Sequence, residues 1–117
     1  MLKFVRKVWG SEEWLVNNDL YCSKYLNLAK GYQCSLHYHK IKDETFYVLD
    51  GTIELELREN DRPVTMILHR GDQHRLYPHT IHRFRAVTTI AKILEVSTTH
   101  FDEDSYRLEV SGEVPTT

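Results

Sequence analysis

Apolar and polar residues alternate along much of the chain. In segment 52–58, Thr-Ile-Glu-Leu-Glu-Leu-Arg, the apolar side chains fall at 53, 55 and 57 with polar ones between. A period of two puts all three on one face, so this segment predicts a half-buried β-strand. Segments 3–8, 13–16, 20–28, 45–49, 64–68, 75–77, 82–87 and 90–97 are short and rich in β-branched and aromatic residues, and they predict further strands. Turn formers separate them, among them Asn17-Asn18-Asp19, Lys30-Gly31, Asp50-Gly51, Arg70-Gly71-Asp72, Tyr77-Pro78 and Ser111-Gly112. Asp50-Gly51 is a strong hairpin signal joining 45–49 to 52–58. The only helical candidate is a turn or two over 102–107. Many short strands at regular spacing predict an all-β sandwich or barrel. A barrel also removes exposed strand edges, and its mouth or interior is the natural ligand site.

The 117 residues amount to one domain, expected to span 1–117. Lys and Arg number 15 against 17 Asp and Glu, a formal net charge of −2. That balance gives no electrostatic case for nucleic acid or an anionic membrane as partner. No apolar run approaches the roughly 20 residues that span a bilayer. Charges interrupt the apolar N-terminal segment, so no signal peptide is expected. Cys22 and Cys34 are too few for a disulfide scaffold and lack metal-site spacing. They read as buried free thiols in a reducing cytoplasm. Histidine is the outlier: four of the seven lie between residues 69 and 82.

The histidines supply the chemistry. Residues 31–39 read as one strand, with Gln33, Ser35, His37 and His39 on one face and Cys34, Leu36 and Tyr38 on the other. His-x-His in a strand sets two imidazoles side by side. Glu44 follows within reach of a short turn, and His82 opens a later strand. Three imidazoles and a carboxylate suit a divalent ion, Mn²⁺, Fe²⁺, Ni²⁺, Co²⁺ or Zn²⁺. On a six-coordinate ion they leave about two positions for water or substrate.

These residues resemble a known family. Gly31, His37, His39, Glu44 and Gly51 fit the first cupin motif, G-x5-H-x-H-x3,4-E-x6-G, at every fixed position. Segment 71–82 is similar to the second, with a Gly71-Asp72 turn, Pro78 and a closing His82. It departs at His79, where glycine is usual, and at Ala86, where asparagine falls. The core motifs are thus 31–51 and 71–82. The resemblance implies an all-β, single-domain cupin, a double-stranded β-helix or jelly-roll barrel, and a homodimer. It also implies His37, His39, Glu44 and His82 as metal ligands.

Three local features resemble sugar isomerases within that family. His37-x-His39-x-x-Lys42-x-Glu44 is similar to the metal motif of D-lyxose isomerases. Lys7-Val8-Trp9-Gly10 resembles the opening strand of the cupin domain of type II mannose-6-phosphate isomerases. The stretch from Leu94-Glu95-Val96-Ser97 through Asp102-Glu103-Asp104 to Arg107 resembles the end of the same domain. The expected function is therefore aldose–ketose isomerisation of a D-lyxose- or D-mannose-type sugar, or a phosphosugar, through a metal-bound cis-enediol. Mn²⁺ is the first expectation for the ion. A divalent ion holds two neighbouring oxygens and polarises the carbonyl. Glu44 is a candidate base, Lys42 a candidate acid or oxyanion partner, and Glu95 a second base if it faces the interior.

Other prominent residues read as structural. Trp9 and Trp14 read as core or dimer-interface aromatics, and His69 and His74 as lying outside the site. His79 adjoins the second motif. Arg83 and Arg85 should point outward while His82 and Phe84 point inward. Arg107 is expected in a surface salt bridge. The one candidate basic cluster for a phosphate is Arg83, Arg85 and Lys92, and with its arginines outward a neutral sugar is favoured. Two other functions share the same ligand set: an Fe²⁺ dioxygenase, and a non-catalytic sugar-binding module.

Overall fold

The computed structural model describes residues 2–115. Two antiparallel sheets face each other. One has six strands: β1 (Lys3–Lys7), β2 (Gly10–Asn17), β3 (Cys22–Ala29), β11 (Ile90–Ser97), β6 (Glu44–Asp50) and β9 (Gln73–Leu76), in that spatial order. The other contains β12 (Tyr106–Glu109), β5 (Leu36–Tyr38), β10 (His82–Ala86), β4 (Tyr32–Gln33) and β13 (Gly112–Glu113); β7 (Thr52–Glu59) also pairs with β10, and β8 (Arg62–His69) pairs with β7. This is the barrel predicted from the alternation. No helix among the described residues is long and apolar enough to cross a membrane.

The inner faces divide into an apolar floor and a polar end. Leu26, Ile93 and Val48 form one cross-strand row of the six-stranded sheet, facing Ile53, Leu55, Phe84 and Ala86 across the core. Trp9 closes this floor, its ring edge-on to Phe84 at 5.0 Å. The next inner row of the same sheet is quite different: Lys3, Trp14, Lys24, Glu95, Phe46 and His74 are directly paired neighbours across six strands. Apolar burial holds the floor together, while this row faces the cavity above it from Lys3 as far as Phe46.

The hairpin at Asp50-Gly51 forms as expected. Gly51 has φ +73°, and a Cβ there would stand 2.5 Å from the Ile90 carbonyl oxygen, so only glycine fits.

Two expectations need correction. Residues 31–39 are not one strand. Arg85 pairs with Gln33 and His82 with His37, so four steps along 33–37 answer three along 82–85. The extra residue is a bulge, and a bulge inverts which side the chain presents. Gln33 therefore faces outward, accepting from Arg85 Nη1 at 2.8 Å, while His37 faces inward. Cys34 and Ser35, adjacent in sequence, both line the interior. The second correction is at 102–107. Only Asp102–Asp104 form a turn of 3₁₀ helix, and the chain then enters β12, which pairs with β5. The strand β13 lay outside the predicted set.

Candidate metal centre and cavity

His37 lies on β5, His39 just beyond it, and His82 opens β10 directly opposite His37. One ring nitrogen from each comes within 4.8 Å of the other two. The orientation of the rings is fixed from behind. His37 Nδ1 lies 2.7 Å from the Ser35 carbonyl, His39 Nδ1 2.9 Å from the Asp104 carbonyl and His82 Nδ1 2.8 Å from the Thr80 carbonyl. A carbonyl only accepts, so each Nδ1 carries a hydrogen and each ring turns its Nε2 forward. This is the arrangement that outer partners impose on metal-binding histidines. His82 Nε2 is fully buried and has no hydrogen-bond partner among the described residues. Leaving such an atom unpaired is costly, and a cation at that point would satisfy it. The three histidines are thus positioned to bind a metal ion.

Glu44, at the start of β6, points into the same space. Its Oε2 lies 3.3 Å from His39 Nε2 and 3.4 Å from His82 Nε2. Burial opposes its charge, but contacts with His39 and His82 outweigh it and hold the carboxyl well below the ordinary range. Burial and the neighbouring His82 push His37 down to about 3, so its ring is neutral. The donors available to an ion are therefore three imidazole nitrogens and one carboxylate, a set that fits Mn²⁺, Fe²⁺, Ni²⁺, Co²⁺ or Zn²⁺.

Lys42 and Glu95 meet beside this group. Both are buried, and Lys42 Nζ donates to Glu95 Oε2 at 2.7 Å. Glu95 faces inward, as β11 alternates Ala91, Ile93, Glu95 and Ser97 on its buried face. Burial raises the Glu95 carboxyl, with Lys42 opposing. Burial alone would lower the Lys42 ammonium, but Glu95 raises it on balance. Both groups border a cavity of about 770 Å³ that also takes in His37, His39 and Glu44.

Three residues of this site gave little or no signal in the sequence. Lys24 is buried on the apolar face of β3, between Cys22 and Leu26. A lysine on the inward parity of an alternating strand was the available clue. Its ammonium lies 3.9 Å from the centre of the Trp14 ring, so Trp14 belongs to the cavity wall, while Trp9 is a core residue that also borders the cavity. His100 Nδ1 lies 3.2 Å from Lys42 Nζ, and its Nε2 is 3.0 Å from Asp102 Oδ1. Burial, with the charges of Lys24 and Lys42, pushes His100 down to about 4. Asp104 accepts the backbone N–H groups of Lys40, Ile41 and Lys42 on its buried carboxylate. It thereby shapes the turn that carries Lys42 while its own carbonyl orients His39.

The other expectations sort as follows. His69 and His74 are not among the cavity residues, and neither is His79. His79 takes φ +72°, which explains why glycine is usual there; its N–H donates to the His39 carbonyl at 2.6 Å. Arg83 and Arg85 do point outward. Arg83 is nevertheless buried, donating to the Cys34 carbonyl and to Glu109. The two cysteines are free and buried, and burial pushes Cys34 up to about 12. Arg107 makes no salt bridge among the described residues; it lines the cavity, paired in register with His37. The expectation that the cavity has no basic cluster is also overturned, since Lys3, Lys7, Lys24, Lys42 and Arg107 all line it.

A small antiparallel barrel with a histidine cluster at one end of its interior defines the class of protein. The chain belongs to the cupin domain family, whose profile (Cupin_2) matches residues 24–97 and so contains both motifs. Solved structures share the fold at low identity. The capsular polysaccharide assembling protein CapF of Staphylococcus aureus is 19% identical, with a TM-score of 0.83 over 94% of this chain and 32% of that one. Oxalate decarboxylase of Bacillus subtilis is 18% identical, with a TM-score of 0.81 over 92% of this chain and 30% of that one. KdgF of Halomonas sp. is 18% identical, with a TM-score of 0.74 over 86% and 89%. The chain thus spans about a third of the first two relatives and most of the third. No curated protein matches the sequence significantly.

Proposed function

We propose that this cupin is a metal-dependent aldose–ketose isomerase, with His37, His39, Glu44 and His82 holding a divalent ion, Mn²⁺ first among the candidates. The observation that carries this reading is the buried Lys42–Glu95 pair, 2.7 Å apart and open to the same cavity as His37, His39 and Glu44. Isomerisation moves a proton between adjacent carbons and needs a base and an oxyanion partner in addition to the ion. Activation of oxygen needs only the ion with open positions. The resemblance of His37-x-His39-x-x-Lys42-x-Glu44 to D-lyxose isomerases, and of the flanking segments to type II mannose-6-phosphate isomerases, supports the same reading.

When bound, the ion polarises a substrate carbonyl and the neighbouring hydroxyl. Glu95, raised by burial, takes the proton from one carbon and returns it to the next. Lys42 Nζ, with three donors, gives a hydrogen bond to the oxygen where charge develops. Glu44 is less suited to the base role, because its carboxyl is held well below the ordinary range and faces two imidazoles. His100, neutral near pH 7, accepts from Lys42 and links the pair toward exposed Asp102.

The test is incubation of Mn²⁺-loaded protein with a panel of aldoses and ketoses, products being resolved by chromatography. Lyxose–xylulose or mannose–fructose interconversion is expected, falling about 100-fold or more in Glu95→Gln with bound Mn²⁺ unchanged. His37→Ala should lose the metal. Oxygen uptake without isomerisation would replace this reading by a dioxygenase, and sugar binding without turnover by a binding module.

A further inference from the structure

The cavity's charge runs against that of the chain. Six cationic side chains and four carboxylates line it, an excess of two positive charges in a protein of formal net charge −2. A bound divalent ion adds to that excess. A concave site of one sign, set in low-dielectric walls, concentrates ligands of the opposite sign.

Arg107 is the focus of this excess. The register pairs Arg107 with His37, and His37 with His82, across β12, β5 and β10. Directly paired residues share a face, with Cβ atoms about 5 Å apart. The Arg107 side chain therefore rises beside the histidine group, at the exposed mouth of the cavity. Among the described residues it has no hydrogen-bond or ion-pair partner. The neighbouring outward arginines, by contrast, are all engaged: Arg83 with Glu109, and Arg85 with Glu54 and Glu56. Lys7 on β1 lines the same cavity and is likewise without an ion-pair partner among the described residues. Lys42 and Lys24 are different, since Glu95 and Glu12 already face them. The unpaired cations are thus Arg107 and the three on β1, Lys3, Arg6 and Lys7.

We infer that the ligand of this cavity is an anionic sugar, whose carboxylate or phosphate is gripped by Arg107 while its hydroxyl and carbonyl oxygens reach the histidine group. This rests on the sugar-site reading above and replaces the neutral sugar expected from the sequence. A guanidinium offers two parallel donors to either anion, so the geometry serves a uronate and a sugar phosphate alike. The short separation between Arg107 and His37 calls for a small ligand, with its acidic group a few bonds from the oxygens that face the histidines.

Calorimetric titration of Mn²⁺-loaded full-length protein with D-mannose, D-mannuronate and mannose 6-phosphate tests this. At least one of the two anionic sugars should bind about tenfold or more tightly than mannose, and the advantage should shrink as salt is raised. Whichever anion binds names the acidic group. In Arg107→Gln the advantage should disappear while mannose affinity and bound Mn²⁺ stay as they were; Arg107→Lys should retain part of it. Equal binding of all three sugars, no binding of either anion, or an equal loss for mannose and the anions in Arg107→Gln would overturn the inference. Because binding is read without turnover, the two readings separate. Anion preference without isomerisation leaves the site and removes the reaction, and isomerisation of mannose without anion preference does the reverse.

Discussion

At the scale of single residues, the site depends on what stands behind each charged or polar group. The four motif residues His37, His39, Glu44 and His82 were legible in the sequence because their types and spacing are the signal. Lys24, His100 and Asp104 were not, because each acts through a contact between segments far apart in the chain: Asp104 reaches Lys42 across 62 positions, and His100 reaches it across 58. The Lys42–Glu95 pair is expected to behave as a buried ion pair. Lys42→Met strands the Glu95 carboxylate and should cost about 3 kcal/mol, whereas the double replacement Lys42→Met/Glu95→Met should recover most of that, as urea denaturation of the three proteins would show. His100 makes a separate contribution with a definite sign. Its folded pKa of about 4 lies below the ordinary 6.5, so between those values the unfolded chain binds a proton that the native protein does not. Stability from this group is complete above 6.5 and declines as pH falls toward 4. His100→Gln should lose that part of the pH dependence, a slope below about 1.4 kcal/mol per pH unit because solvent partly screens the ring. Denaturation of both proteins at pH 4.5, 5.5 and 6.5 measures it; parallel curves would remove the assignment.

At the scale of elements, alternation announced most of the barrel, and 90–97 is the strand it was expected to be. The bulge at Cys34–Ser35 was invisible, since a continuous polar–apolar string does not show where one residue is skipped. Its consequence is functional: without it, Gln33 and His37 would share a face, and His37 could not look inward beside His82. The segment 106–110 also alternates, Tyr-Arg-Leu-Glu-Val, yet Leu108 and Val110 are exposed and Arg107 takes the cavity side. An edge strand whose apolar residues face solvent does not declare itself by burial pattern, and the acidic run before it invited a helical reading. The β1–β2 turn shows how tightly these elements meet. Gly10 has φ +148°, and a Cβ there would lie 1.8 Å from the Asn27 carbonyl oxygen of the next strand. Gly10→Ala must therefore push β2 off β3, and a loss of about 2 kcal/mol or more is expected by chemical denaturation. Gly71→Ala, with φ +91° but nothing within 4 Å, should cost only the backbone strain, about 1 kcal/mol.

At the scale of the whole molecule, the candidate metal centre lies between the two sheets. Glu44 comes from the six-stranded sheet, while His37 and His82 come from the other, and the apolar floor lies between them. An ion held by all four side chains would tie the sheets together at the polar end, where the core supplies little apolar contact. It would bind the native state and not the separated strands, so it should stabilise by mass action. At a free Mn²⁺ concentration of 100 Kd the gain is about 2.7 kcal/mol, or roughly 10 °C in melting temperature for a chain of this size. His82→Ala removes a ligand from the centre and should abolish the response. Glu44→Gln gives the sharper result, because it reports on the link between sheets rather than on the histidine group alone. If Glu44 is a ligand, the variant needs far more Mn²⁺ for the same rise in melting temperature. If the response is unchanged, the ion sits on the three histidines of one wall, and Glu44 is not among its ligands.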